Sequence, residues 1–415
     1  MKRMISLDAL RGYALVCIML DHMPASILRE VTLANFVVFD AAELFVLLSG
    51  FLIGIVWLNV EEKQGRGVAR RRFVRRAFEV WRALVIGGVL LALLSAILLA
   101  FEMRHTAVWN QYAIWVIENP LGYVGTLMTM WMQPNLLDVL AVYVLLIAST
   151  PLLVPVMLRW PLVFAICSVT LWWFAPTLNA MIPNQRGSGF LFNPFGWQML
   201  FFTGVAMSLF RKQFMPVLLR YRLAVTLIAW GMFLFGAVLG TAVQFGQAGL
   251  PLRNALRPLY GTVDKWSLDG TRYLAIVAAS WLVAVPLARI IERIAASRPG
   301  EAMQQIGRGG LWSFIACVLL SILGDALQIN PADQPVLQRL AVDLWVVMAL
   351  WGLAIVWLEY GAPRQKARKA AKAAKALQAR AAKAAKTAKT LQVPAETCAS
   401  EPSKAGRCPP VQVRT

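Results

Sequence analysis

Four ionisable residues, Asp8, Arg11, Asp21 and His22, sit inside the first apolar stretch, Leu7 to Leu28. A charge at membrane depth costs roughly 2.5–3.5 kcal/mol on insertion scales, so such residues are seldom accidental. Arg11 and His22 are eleven positions apart. At about 100° per residue that is about 1100°, within roughly 20° of a whole number of turns, with a separation of roughly 16 Å along the axis. Both side chains therefore fall on one helix face. One end offers a permanent cation. The other offers imidazole, the side chain best suited to moving protons near neutral pH.

The second apolar stretch adds Asp40 and Glu43, three apart, where a helix presents them on one face. Glu43 falls at the depth expected for His22 on the adjacent helix. A carboxylate there would hold the imidazole in one tautomer and raise its basicity, with Asp21 as a further acid nearby. The plain alternative is a structural ion pair within the membrane.

A basic run follows, with Arg70, Arg71, Arg72, Arg75, Arg76 and Arg82. Most of its charge is explained as a topology signal. Arg72, Arg75 and Arg76 continue toward the membrane at helical spacing, and guanidinium groups bind phosphates well. With Arg11 at the same depth they form a candidate receptor for a polyphosphate carrier. Further along lie Asp138 and Tyr143, then Trp197 and Gln198 after Asn193-Pro194, then Lys265 and Arg272, then Gly307-Arg308. Each is read as a cap, a kink, an interfacial anchor or a substrate contact. His105 reads as a solvated loop residue.

The elements that must position these residues follow from composition. The 415 residues are 59% hydrophobic and 15% charged, with 16 Trp. That excludes an ordinary soluble domain and predicts an all-α, polytopic membrane protein. The five cysteines show no metal or disulfide spacing, and two histidines exclude a multi-histidine metal site. No metal and no permanently bound cofactor are expected. The N-terminal run, interrupted by charges, reads as a retained signal-anchor helix rather than a cleaved leader.

Ten apolar runs are long enough to span, at about 7–28, 37–59, 80–101, 136–158, 161–181, 194–211, 222–244, 271–292, 310–329 and 337–358. The stretch 112–132, broken by Glu118, Asn119, Pro120 and Gly122, reads as re-entrant or interfacial. With the N-terminus cytoplasmic, the basic loops after the second, sixth and eighth spans fall on one side with the basic C-terminus. The expectation is thus a transmembrane domain over 1–358 and a cytoplasmic, Lys/Ala-rich tail over 359–415, partly disordered, with both termini inside. The tail's cations suit anionic lipid headgroups better than nucleic acid. The sequence leaves the oligomeric state open.

The ordered motifs resemble the OpgC family, within a wider class of membrane acyltransferases that includes the acyltransferase-3 family. The matching residues are Asp8-Ala9-Leu10-Arg11-Gly12 with Asp21-His22, then Asp40-Ala41-Ala42-Glu43-Leu44-Phe45 with Leu48-Ser49-Gly50-Phe51. Gln133-Pro134, Leu137-Asp138, Leu140, Tyr143, Asn193-Pro194-Phe195, Trp197-Gln198, Lys265, Arg272 and Gly307-Arg308 complete the series. The resemblance covers about 1–358. Where this family often carries Gly-Arg-His-Ser-Leu, the chain has Gly307-Arg308-Gly309-Gly310-Leu311, without the polar pair.

The resemblance implies a ten-span inner-membrane enzyme that places succinyl groups on osmoregulated periplasmic glucans. The implied co-substrate is cytoplasmic succinyl-CoA or another acyl-CoA. The acceptor is a periplasmic glucan or other surface polysaccharide. The histidine of the first span, here His22, is the implied catalytic residue. General-base catalysis and an acyl-histidine relay both remain open. The alternative is a transporter or flippase for an anionic or lipid-linked sugar, with Asp21, Glu43 and Asp138 as its membrane acids.

Overall fold

A computed structural model describes residues 4–103, 107–185, 187–260, 263–328, 334–364 and 367 of the chain. His105 and all but the start of the basic tail lie outside the described residues. The described residues up to Leu358 form one compact unit. In chain order the helices are α1 (Ile5–Asp21), α2 (Leu33–Phe36), α3 (Ala41–Gln64), α4 (Arg66–Ala100), α5 (Ala107–Glu118), α6 (Pro120–Met128), α7 (Asp138–Arg159), α8 (Pro161–Trp173) and α9 (Ala175–Ala180). They continue with α10 (Pro194–Leu209), α11 (Arg211–Arg220), α12 (Arg222–Gln244), α13 (Leu250–Tyr260), α14 (Gly270–Ala284), α15 (Ala288–Ala295), α16 (Arg298–Gly309), α17 (Leu311–Leu327) and α18 (Val336–Val356). A two-strand ladder, β1 (Pro183–Asn184) against β2 (Gly187–Ser188), lies between α9 and α10.

The all-α expectation fits, but the count of ten spans does not carry over. Among the described residues, five helices are long and apolar enough to cross a membrane: α3, α4, α7, α12 and the one that begins α18. The total rises to seven if two bent pairs each count as one span, α14 with α15 at 78° and α16 with α17 at 104°. The difference lies in where apolar runs break. The first run continues to Leu28, yet α1 stops after 17 residues at Asp21, roughly 26 Å of helix. The fifth run breaks at Phe174, because Pro176 has no amide to reach the Trp172 carbonyl four residues back and its ring crowds that oxygen. The sixth is only 16 residues long.

Two further boundaries are corrected. The basic run after the second span is not a loop: it is the first half of the 35-residue α4. Gly307-Arg308, just ahead of the ninth apolar run, belongs to the end of α16, and Gly310, with φ of +60°, turns the chain into α17. The stretch 112–132 breaks where Asn119-Pro120 predicts, with Asn119 accepting the Gly122 amide at 2.9 Å to start α6.

Helix α1 lies directly on α16. A β-carbon at Gly12 would collide with the Met303 carbonyl, and one at Gly307 with the Asp8 carbonyl. Small residues let two backbones approach closely, which supplies van der Waals contact where lipid removes the hydrophobic drive between helices. The centre of the unit is aromatic. Phe45 on α3 meets Tyr143 on α7 at 6.1 Å and Phe314 on α17 at 5.8 Å, and Tyr143 meets Phe201 on α10 at 6.2 Å. These contacts fix the start of α3 against its neighbours, and the start of α3 carries the charges of the site.

Candidate functional site

Asp40 is the N-cap of α3. Its Oδ1 accepts the Ala42 amide at 2.8 Å while Glu43 Oε2 accepts the Asp40 amide at 3.1 Å, a reciprocal capping box. The Asp-x-x-Glu spacing therefore has a local reason, with one oxygen of each carboxylate spent on the helix end. The other oxygens turn to cations. Glu43, fully buried, receives Arg272 Nε on Oε1 at 2.6 Å and also contacts Arg272 Nη2. Asp40 Oδ2 lies 2.5 Å from Lys265 Nζ and 3.6 Å from Arg272 Nη2.

Arg272 sits in the first turn of α14, where its amide donates to Asp269 Oδ1 at 2.9 Å. Lys265 lies in the preceding loop, its ammonium 5.8 Å from the Phe192 ring and 5.6 Å from the Trp266 ring, within cation–π range. Burial works against the lysine's charge, but the Asp40 and Glu43 carboxylates outweigh it and hold its pKa above the ordinary value. Two acids and two bases balance, so no member is left as an uncompensated buried charge.

His22 is the C-cap of α1 and is exposed. Its Nδ1 lies 2.6 Å from the Ile18 carbonyl oxygen. A carbonyl only accepts, so Nδ1 carries the proton and Nε2 keeps its lone pair. Lys265, Asp40 and Arg29 are within electrostatic reach of the ring. Asp21, beside it, accepts Thr32 Oγ1 at 2.5 Å and is within reach of Asp40 and Lys265. The fold thus gathers His22, Asp21, Asp40, Glu43, Lys265 and Arg272 at one end of α1, α3 and α14.

The model of one family, described as OpgC protein, matches residues 3–360. The chain belongs to the OpgC protein family. No curated protein and no solved structure matches it. OpgC membership suggests a role in modifying osmoregulated periplasmic glucans.

In this OpgC chain the expected pairing of Glu43 with His22 is replaced by another. Both Glu43 oxygens are engaged, by the cap and by Arg272, and the tautomer of His22 is set by the carbonyl one turn back in its own helix. Nor does His22 lie several residues deep in a continuing span, since α1 ends immediately before it.

The remaining expected residues divide. Trp197 Nε1 donates to the Trp266 carbonyl at 3.0 Å and its ring meets Phe192 at 4.9 Å, so it supports the loop that carries Lys265. Gln198 joins α10 to α8: its Oε1 accepts Ser168 Oγ at 2.8 Å and its Nε2 donates to the Ser168 carbonyl at 2.8 Å. Asp138 begins α7 and its Oδ1 accepts the Val139 amide at 2.9 Å.

Arg11 is half-buried, its Nε buried without a hydrogen-bond partner among the described residues, with Tyr143, Asp8 and Arg76 within electrostatic reach. Arg76 is half-buried and lies 3.4 Å from Glu79, whereas Arg72 and Arg75 are exposed on α4. Among the described residues no group of three or more His, Cys, Asp or Glu side chains is arranged to hold a metal ion.

Sequence reasoning passed over Asp343. It is fully buried on α18 and accepts the amides of Ile27 and Leu28 at 2.8 and 2.9 Å, just beyond His22. A lone carboxylate inside the last apolar run was the available signal.

Proposed function

We propose that the chain is an inner-membrane O-acyltransferase that moves an acyl group, succinyl in the first instance, from cytoplasmic acyl-CoA to a hydroxyl of a periplasmic glucan. On this reading both termini lie in the cytoplasm, and the end of α1 that carries His22 faces the periplasm. The observation that carries this reading is the exposed His22 with Nδ1–H committed to Ile18 O and Nε2 available as a base.

In this scheme Nε2 takes the proton of the sugar hydroxyl as its oxygen attacks the thioester carbonyl. The tetrahedral intermediate collapses with cleavage of the C–S bond. The ester remains on the sugar, and the CoA sulfur leaves and takes the proton back from Nε2, giving CoA thiol. The Lys265 ammonium, held by Asp40, contributes positive charge near the developing oxyanion. Arg11 and Arg76 meet the phosphates of the donor toward the other end of α1, and its long arm runs between them and His22.

The test is mass spectrometry of periplasmic glucans from cells carrying wild-type protein or His22→Ala at equal membrane abundance. Loss of the acyl substituent is expected. Unchanged acylation would rule out His22 as the base.

A further inference from the structure

A cavity of about 510 Å³ lies between α12, α13, the segment leading into α3 and the start of α14. Helix α13 turns Leu250, Arg253, Asn254 and Arg257 toward it. These positions fall three, four and seven residues after the first, the spacing of a single helix face. The basic residues of α13 are thus on its cavity side. The facing wall is apolar, with Val38 and Leu239. There Gly240 lets α12 meet the backbone of Val37, whose carbonyl carbon would lie 2.5 Å from an added β-carbon.

The third wall is Arg272, the buried side chain that pairs with Glu43 and Asp40. The cavity and the charge network therefore share Arg272. Among the described residues no carboxylate lines the cavity. The guanidinium groups of Arg253 and Arg257 and the Asn254 amide, beside an apolar wall and with Arg272 at the inner end, match an oxyanion carried on a short aliphatic arm, because guanidinium presents a planar fork of donors to a carboxylate.

We propose that this cavity is an oxyanion subsite of the acyl-transfer site, taking a carboxylate between Arg253, Arg257 and Arg272. The inference rests on the acyltransferase reading. The carboxylate is either the far end of a dicarboxylic acyl group in transit or one already borne by the glucan acceptor.

The test is equilibrium binding to detergent-purified full-length protein, with two probe pairs that each differ by one carboxylate. Succinyl-CoA against butyryl-CoA reports the donor. A succinylated glucan oligosaccharide against its methyl ester reports the acceptor. Wild type is expected to bind the carboxylate member of one pair about tenfold tighter or more, the scale of a charge-assisted hydrogen bond. R253Q/R257Q should remove that preference while binding the neutral member as wild type does, and R253K/R257K should keep part of it. The pair that responds identifies the source.

No preference in wild type, or a preference that persists in R253Q/R257Q, overturns the proposal. So does equal loss on both members of a pair in the double variant and in each single variant. Binding needs no turnover. Failure of the acyltransferase reading would show separately, as no CoA release by wild type from either donor with glucan present.

Discussion

Asp343 on α18 holds the backbone of Ile27 through a 2.8 Å hydrogen bond from the amide to its carboxylate, 316 residues away in sequence. The same oxygen accepts the Leu28 amide at 2.9 Å, and the other accepts Gln328 Nε2 at 2.9 Å. Nearby, Arg339 Nε donates to the Ala25 carbonyl at 2.8 Å. The segment after His22 is thus tied to the last span, and the exposed imidazole stands on a fixed helix end.

Asp343→Ala strands three donors, each unsatisfied group costing about 1–3 kcal/mol. The expected result is a drop in thermal unfolding temperature and several-fold weaker glucan acylation. Asp343→Asn, which keeps one acceptor, should lie between Ala and wild type. A D343A protein as stable and active as wild type would remove Asp343 from this positioning role.

The Glu43–Arg272 pair invites a different experiment. Breaking a buried pair by removing one partner costs roughly 3–5 kcal/mol, because a charge is left uncompensated. Glu43→Gln leaves Arg272 with only the 3.6 Å contact to Asp40, and Lys265 already occupies that carboxylate. E43Q and R272Q should each destabilise the purified protein strongly, and E43Q/R272Q by much less than the sum. Additive losses in that double-mutant cycle would mean the two side chains act independently.

A contact between backbones gives the third prediction. Gly12→Val and Gly307→Val each drive a branched side chain into a carbonyl across the α1–α16 crossing. Both are expected to reduce folded protein in the membrane severely, whereas Gly352→Ala, with open space around it, should be neutral. Quantitative immunoblotting of membranes separates these outcomes. Normal abundance of G12V would contradict the close crossing.

How far the sequence carried these conclusions depended on the kind of signal. Helical class and the charges themselves were legible, because apolar runs and intramembrane acids are local features. Asp40, Glu43, Lys265 and Arg272 were all singled out, although nothing local linked a pair of residues more than 200 positions apart. Their partnership was misassigned because Glu43 and His22 match in depth, and depth along an axis says nothing about which side chain an oxygen faces. The helices long and apolar enough to span fall short of ten among the described residues for a related reason. Hydropathy continues past Asp21 to Leu28 while the helix does not. Asp343 was missed because two of its three partners are the backbone amides of Ile27 and Leu28, which leave no mark in residue identity.

The arginines at the other end of α1 give the last prediction. Phosphate binding was expected of Arg72, Arg75 and Arg76 together. In the folded chain only Arg76 is half-buried and within electrostatic reach of Arg11; the other two are exposed. Two like charges held near one another repel, and an anion between them relieves that repulsion. Arg11 Nε, buried without a hydrogen-bond partner among the described residues, adds a donor for an anion to meet. Arg76→Gln is therefore expected to weaken acyl-CoA binding about tenfold, the scale of a lost charge-assisted contact. R72Q/R75Q should change it less than about twofold, since exposed charges are screened by salt. Titration of acyl-CoA into the purified variants at two salt concentrations makes the comparison. Equal effects from R76Q and R72Q/R75Q would return the phosphate site to the whole basic face of α4.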